Sequence, residues 1–240
     1  MIINAAAMNF QELNREIRGS VTEELMINNC LGQRYLGCGL SSGNIQIFGT
    51  PGNALGAYLD GAVITVHGNA QDSVGDTMNE GNILIHGSCG DTPGYAMRGG
   101  KILIKENAGY RAGIHMKSYR DKLPVLVIGG TAGSFLGEYQ AGGRIIVLGL
   151  NSKQACPVGY FCGTGMHGGK IFLRCAELPT SLPTQVHAKQ AGKLDLLEIE
   201  KDIEEFCSEF GYKKETVLDH PFYVLTPNTK NPYRQLYVHC

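Results

Sequence analysis
This sequence of 240 residues is short of the features that mark membrane, nucleic-acid-binding or secreted proteins. No apolar run approaches the roughly 18 residues that a membrane-spanning helix needs. No charge of one sign dominates: 21 Lys and Arg against 22 Asp and Glu leave a net charge of −1. That balance offers little to nucleic acid or an anionic bilayer, so neither is expected as a partner. The opening Met1-Ile-Ile-Asn-Ala-Ala-Ala7 lacks the basic segment and apolar core of a secretory leader, and no Asn-x-Ser/Thr site occurs. A cytoplasmic location is expected. The eight cysteines (Cys30, Cys38, Cys89, Cys156, Cys162, Cys175, Cys207 and Cys240) include no Cys-x-x-Cys pair. In a reducing compartment they read as free thiols acting as small apolar side chains.

What the sequence has in excess is glycine, 33 of 240 residues, without any collagen-like triplet. The excess belongs to a repeat. The segments Gly37–Gly43, Gly75–Gly81, Gly94–Gly100 and Gly163–Gly169 share the template G-x-x-[LM]-x-x-G, and weaker copies begin at Gly56, Gly113 and Gly137. The leading glycines Gly37, Gly56, Gly75, Gly94 and Gly113 are 19 apart, and the intervals to Gly137 and Gly163 are 24 and 26. Extra residues near Lys117–Lys122 and Asn151–Cys156 account for the longer intervals and are expected as side loops.

Each copy runs into a short β-rich segment. One column reads Ile45, Ile64, Ile83, Ile102, Val125, Ile145, Ile171, and a second reads Ile47, Val66, Ile85, Ile104, Val127, Val147, Leu173. β-branched residues at period 2 mark an inward strand face. Leu40, Leu59, Met78, Met97, Met116 and Met166 would fill the corners, where glycine tolerates φ > 0 and close backbone approach. The expectation is an all-β chain: a single-stranded β-helix, a solenoid of about seven coils mostly of 19 residues, over residues 21–175. The column between these two, Gln46, Thr65, Leu84, Leu103, Leu126, Ile146, Phe172, should point outward and grows apolar along the chain. Such a stripe must be covered. Leu84, Leu103, Leu126, Ile146 and Phe172 are therefore candidate interface residues, beneath the chain's own C-terminal helix or, failing that, beneath a partner subunit.

Flanking this region, residues 1–20 carry Asn9-Phe-Gln-Glu12, which resembles a capping box leading into a short helix that stops at Gly19. In the extension 176–240, residues 176–190 read as a polar, Pro-rich connector. Leu196, Ile199, Ile203, Phe206 and Phe210 then recur at helical spacing over 194–210, with Gly211 as the C-cap. Pro221–Asn228 reads as extended.

The stretches Asn29–Gly43, Gly52–Gly61 and Val74–Gly81 make the chain resemble the GXGXG domain at the C-terminus of the glutamate synthase large subunit, over roughly residues 21–175. The repeat grammar is also similar to the formylmethanofuran dehydrogenase C subunit. The resemblance implies a right-handed β-helix without catalytic side chains. It further implies glutaminase and FMN-containing synthase subunits as protein partners, with FMN and the iron–sulfur cluster on those partners and no cofactor on this chain. The expected role is a structural and assembly subunit of a split glutamate synthase. The rival expectations are a formylmethanofuran dehydrogenase-type component and a stand-alone enzyme acting on carbohydrate or acyl groups along a β-helix wall.

Four residue groups invite a chemical reading. Gly163-Thr-Gly-Met-His-Gly168 matches G-x-G-x-x-G literally but precedes a strand, so it reads as a turn and not as a dinucleotide cradle. His67 and His86 share one column and could hold a metal, yet no third ligand accompanies them. Cys156, Cys162 and His167 supply three soft ligands at no standard zinc or iron–sulfur spacing. Asp72, Asp76, Glu80 and Asp91 could pair for acid–base cleavage, but they occupy turn positions where Asp serves the backbone. No catalytic, cofactor or metal residue is therefore assigned.

Overall fold
A computed structural model of the chain describes residues 1–20, 24–150 and 152–228. Cys240, Asn151 and the boundary placed at residue 21 lie outside the described residues. The described residues form one eleven-stranded sheet with three helices. Strands β1 (Ile2–Asn4), β2 (Glu24–Leu31), β3 (Asn44–Thr50), β4 (Asp60–Val66), β5 (Glu80–Ile85), β6 (Lys101–Ile104), β7 (Val125–Ile128), β8 (Ala141–Val147) and β9 (Gly168–Arg174) lie side by side in chain order, every neighbouring pair parallel. Beyond β9 the order departs from the chain. β11 (Phe222–Pro227) pairs antiparallel with β9, and β10 (Val186–Gln190) pairs antiparallel with β11 at the edge. Helix α1 (Phe10–Gly19) follows β1, while α2 (Lys193–Phe210) and α3 (Lys214–Leu218) separate β10 from β11.

This corrects the fold class. An all-β, single-stranded β-helix does not describe a single mixed sheet whose C-terminal strands reverse direction. The 19-residue spacing reports which residues lie opposite one another in neighbouring strands, as in Ile45–Ile64 and Ile64–Ile83. It carries no information about the two antiparallel strands added later in the chain. The segment read as a connector contains β10, whose Val-His-Ala-Lys-Gln sequence is too polar to announce a strand.

One face of the sheet is buried throughout, and the other is buried from β6 onward. On one face, Ile45, Ile64, Ile83, Ile102, Leu126, Ile145 and Ile171 align with Ile47, Val66, Ile85, Ile104, Ile128, Val147 and Leu173. The segments that connect the strands pack over these rows with Leu55, Leu59, Met78, Met97, Met116 and Met166. At the position between Met116 and Met166 stands Gln140, fully buried, which donates to the carbonyls of Gly142 and Gly143 at 3.2 Å each. The other face, with Leu103, Val127, Ile146 and Phe172, is covered by Ile199, Ile203, Phe206 and Phe210 of α2. The register at β7 is therefore one residue from that read in the sequence. Leu126 belongs to the first face, and Val125 and Val127 to the second.

The leading glycines sit where the connections bend. Gly75 has φ +67, and a Cβ there would lie 2.5 Å from Ile102 Cδ1. Gly37, Gly56, Gly113 and Gly137 meet the isoleucine rows in the same way. Gly94 has more room, 3.7 Å from Leu126, and Gly163 faces Val186 at 3.0 Å. Non-glycine residues also enter the left-handed region at each bend, including Ser73 (φ 60) and Thr77 (φ 53) on either side of Gly75. Each such residue costs roughly 1–2 kcal/mol. Hydrogen bonds between adjacent connections offset it: Ser73 N–H donates to Asp91 O at 2.8 Å, Thr77 N–H to Tyr95 O at 2.7 Å, and Gly75 N–H back to Leu55 O at 2.8 Å.

Candidate functional site
The bends form a wall that carries aromatic side chains out of the molecule. Tyr35, Tyr58, Tyr95, Tyr110, Tyr160 and Phe161 are all exposed, Tyr160 at 66% of its surface. Tyr35, Tyr58 and Phe161 are themselves left-handed, Tyr95, Tyr110 and Tyr160 directly precede left-handed residues, and hydrogen bonds between adjacent connections set the spacing. Two runs result. His115 stacks on Tyr139 at 5.1 Å with Tyr95 against its edge at 5.9 Å. In the other, the Arg111 guanidinium lies 4.9 Å over Phe135, which stacks on Phe161 at 5.0 Å. The sequence reading missed this wall, because the aromatics are staggered among four turn positions and form no single column.

Comparison with known proteins matches the chain to the GXGXG motif over residues 5–227. The chain belongs to the GXGXG motif family. This is the family of the glutamate synthase C-terminal domain, and no support arises for the formylmethanofuran dehydrogenase side of the resemblance. The chain is also 43% identical over 250 residues to the uncharacterized protein MJ1350 of Methanocaldococcus jannaschii, covering 99% of this chain and 96% of that protein. Among the described residues, no helix is long and apolar enough to cross a membrane.

In this GXGXG protein the turn glycines Gly37, Gly56, Gly75, Gly94, Gly113, Gly137 and Gly163 all have φ between +62 and +74. Gly163-Thr-Gly-Met-His-Gly168 leads into β9 and opens no helix. Of the candidate interface residues, Leu103, Ile146 and Phe172 are buried beneath α2, Leu84 is half-buried against the same cluster, and Leu126 lies inside on the opposite face.

His67 and His86 stack at 5.1 Å, between Phe48 at 4.4 Å and the edge of Phe210 at 5.1 Å. One ring nitrogen of each is engaged: His67 Nε2 lies 2.7 Å from Gln46 Oε1 and His86 Nε2 lies 3.0 Å from Glu209 Oε1. Burial, then the neighbouring His86, push the His67 pKa down, with Glu209 opposing. The acids likewise have local partners. Asp72 and Asp91 each accept a backbone N–H from the next connection, Asp91 N at 2.9 Å and Tyr110 N at 2.8 Å. Asp76 accepts the Thr77 hydroxyl at 2.8 Å, and Glu80 holds Lys122 at 2.7 Å.

The cysteine cluster is rearranged relative to the sequence reading. The His167 ring faces Gly165 O at 3.2 Å, and Cys175, which follows β9, donates its thiol to Leu173 O at 3.8 Å. Among the described residues, no group of three or more His, Cys, Asp or Glu is arranged to hold a metal ion.

Proposed function
We infer that this GXGXG protein is a structural and assembly subunit of a split glutamate synthase-type system, located in the cytoplasm. It holds a glutaminase subunit and an FMN-containing synthase subunit together, and the flavin and iron–sulfur chemistry belong to those partners. The aromatic wall carries the reading. Tyrosines presented by a rigid, hydrogen-bonded backbone lose little entropy on docking, and aromatic residues together with Arg dominate the centres of protein interfaces. Membership of the glutamate synthase domain family supports this class of partner. On the opposite side α2 already covers the apolar stripe, so the wall is the more accessible aromatic surface.

The test is co-expression of the chain with a glutaminase subunit and an FMN-containing synthase subunit, followed by size-exclusion chromatography. Co-elution of all three is expected. The double variant Tyr110→Ser, Tyr160→Ser should weaken binding about tenfold or more, because each interface anchor contributes over ~1 kcal/mol. Its melting temperature should not change, as both rings are exposed. Elution of the wild-type chain apart from both partners overturns the reading, as does specific association with a molybdenum or tungsten protein instead.

A further inference from the structure
Helix α1 buries Leu13 and Ile17 in the core and leaves a second face beside the first bend. Phe10, Asn14 and Arg18 follow one another at intervals of four along that face, with Gln11 and Arg15 next to them. Between these residues and Tyr35 and Cys38 of the bend runs a groove of about 500 Å3. That volume is in the range of small-ligand sites, which are mostly apolar with a few polar groups that fix orientation. The junction is braced. Asn14 Nδ2 donates to Phe10 O at 2.7 Å and, across to the bend, to Arg34 O at 3.0 Å. The Arg34 guanidinium lies 4.7 Å over the Phe10 ring and 5.8 Å over Tyr35, and the two ring centres are 6.1 Å apart.

The charged residues that line the groove are Arg15 and Arg18, with no carboxylate among the lining side chains. Among the described residues the arginines held in ion pairs are Arg111 and Arg144, so the charges of Arg15 and Arg18 are uncompensated. Glu12, on the far side of the helix, is occupied by the Asn9 N–H. Two guanidiniums three residues apart on one helix face repel each other, and an anion between them removes that cost. One carboxylate would satisfy a single guanidinium fork. A phosphate monoester dianion matches the charge of both and offers three terminal oxygens to their planar donors.

We propose that the groove between α1 and the first bend binds a phosphate monoester that carries an aromatic ring, such as a nucleoside monophosphate. Arg15 and Arg18 take the phosphate, and the rings of Phe10 and Tyr35 supply the surface on which the base lies. The positive charge reaches the bottom of the groove. Burial raises the Cys38 pKa, the Arg18 charge opposes the rise, and Asp76 adds to it. The site stands apart from the assembly role, and its test uses this chain alone.

The experiment titrates the full chain with AMP and UMP in a calorimeter, with adenosine and inorganic phosphate as the ring-only and phosphate-only controls. At least one nucleotide is expected to bind one-to-one with a Kd below ~1 mM, and raising the salt to about 0.5 M should weaken it severalfold. The double variant Arg15→Gln, Arg18→Gln should lose about tenfold or more in affinity, since charge-assisted hydrogen bonds go with the guanidiniums. Its melting temperature should hold, because both side chains are exposed. Tyr35→Asn keeps a residue that tolerates the φ of 62 found there and should weaken binding a few-fold. Cys38, half-buried in the groove, reports the place: saturating nucleotide should slow its alkylation by iodoacetamide severalfold and leave that of Cys156 unchanged. The proposal is overturned by binding of neither nucleotide below ~10 mM. Equal affinity for adenosine or inorganic phosphate, undiminished binding by the double variant, or unchanged Cys38 alkylation at saturation overturns it as well.

Discussion

Gly75 joins two demands at one Cα, a φ of +67 and a side-chain position filled by the Ile102 methyl group. Alanine there should destabilise the protein by about 2–3 kcal/mol, roughly 1 from the left-handed backbone and the rest from overpacking. The two parts are separable by a double-mutant cycle in urea. Ile102→Val removes the obstructing Cδ1, so the cost of Gly75→Ala should fall by about 1 kcal/mol in that background. Additive costs would refute steric opposition between the two residues. These glycines were legible in the sequence because only glycine meets both demands. Leu126 was misplaced for the opposite reason. Pro124-Val-Leu-Val-Ile128 has no polar residue to mark the outward side, and the extra residues at 117–122 break the count that set the register elsewhere. Gln140 was likewise invisible, since nothing in its neighbours reveals that an amide replaces a methionine in the buried row.

At the level of elements, α2 was readable from both its interior and its end. Its apolar residues recur every three or four positions, and Gly211 closes it at φ 76. The capping box of α1 was equally plain: Asn9 accepts the Glu12 N–H at 3.0 Å and Glu12 accepts the Asn9 N–H at 3.1 Å. What could not be read was how α2 is oriented on the sheet. That depends on Asp202, a carboxylate 3% exposed that holds Lys101 of β6 and Arg144 of β8, each at 2.8 Å. Lys101 also pairs with Glu205, and Lys170 of β9 with Glu198. A helix attached by apolar residues alone could slide along the apolar stripe, whereas one carboxylate between two cations sets its position. Asp202→Ala leaves both cations partly buried without their shared partner, so a loss of about 3 kcal/mol is expected in chemical denaturation. A change under ~0.5 kcal/mol, the scale of exposed pairs, would show that apolar packing suffices.

For the molecule as a whole, the helix and the last two strands close what the parallel strands leave open. A chain ending after Ala176 should lose the cover over Leu103, Val127, Ile146 and Phe172 and expose the free edge of β9. It is expected to bind a hydrophobic dye and elute as oligomers in size-exclusion chromatography. A monomer without dye binding would show that residues 177–228 add little to the fold. Sequence spacing shows which residues are neighbours within the parallel part, and family resemblance adds the domain class. The aromatic wall depends on backbone direction and on chain returns that no local pattern records.

The reversal at β11 has a further effect. In a parallel array each strand presents to the next the same donors and acceptors that it received, so nothing in the array itself sets its length. A second molecule could join its β1 to β9 and extend the series. β11 occupies that place running the other way, and β10 beyond it is short, with His187, Lys189 and Gln190 exposed. An incoming parallel strand meets reversed polarity and solvated charge, so the sheet terminates within one chain and fibre growth from this end is blocked.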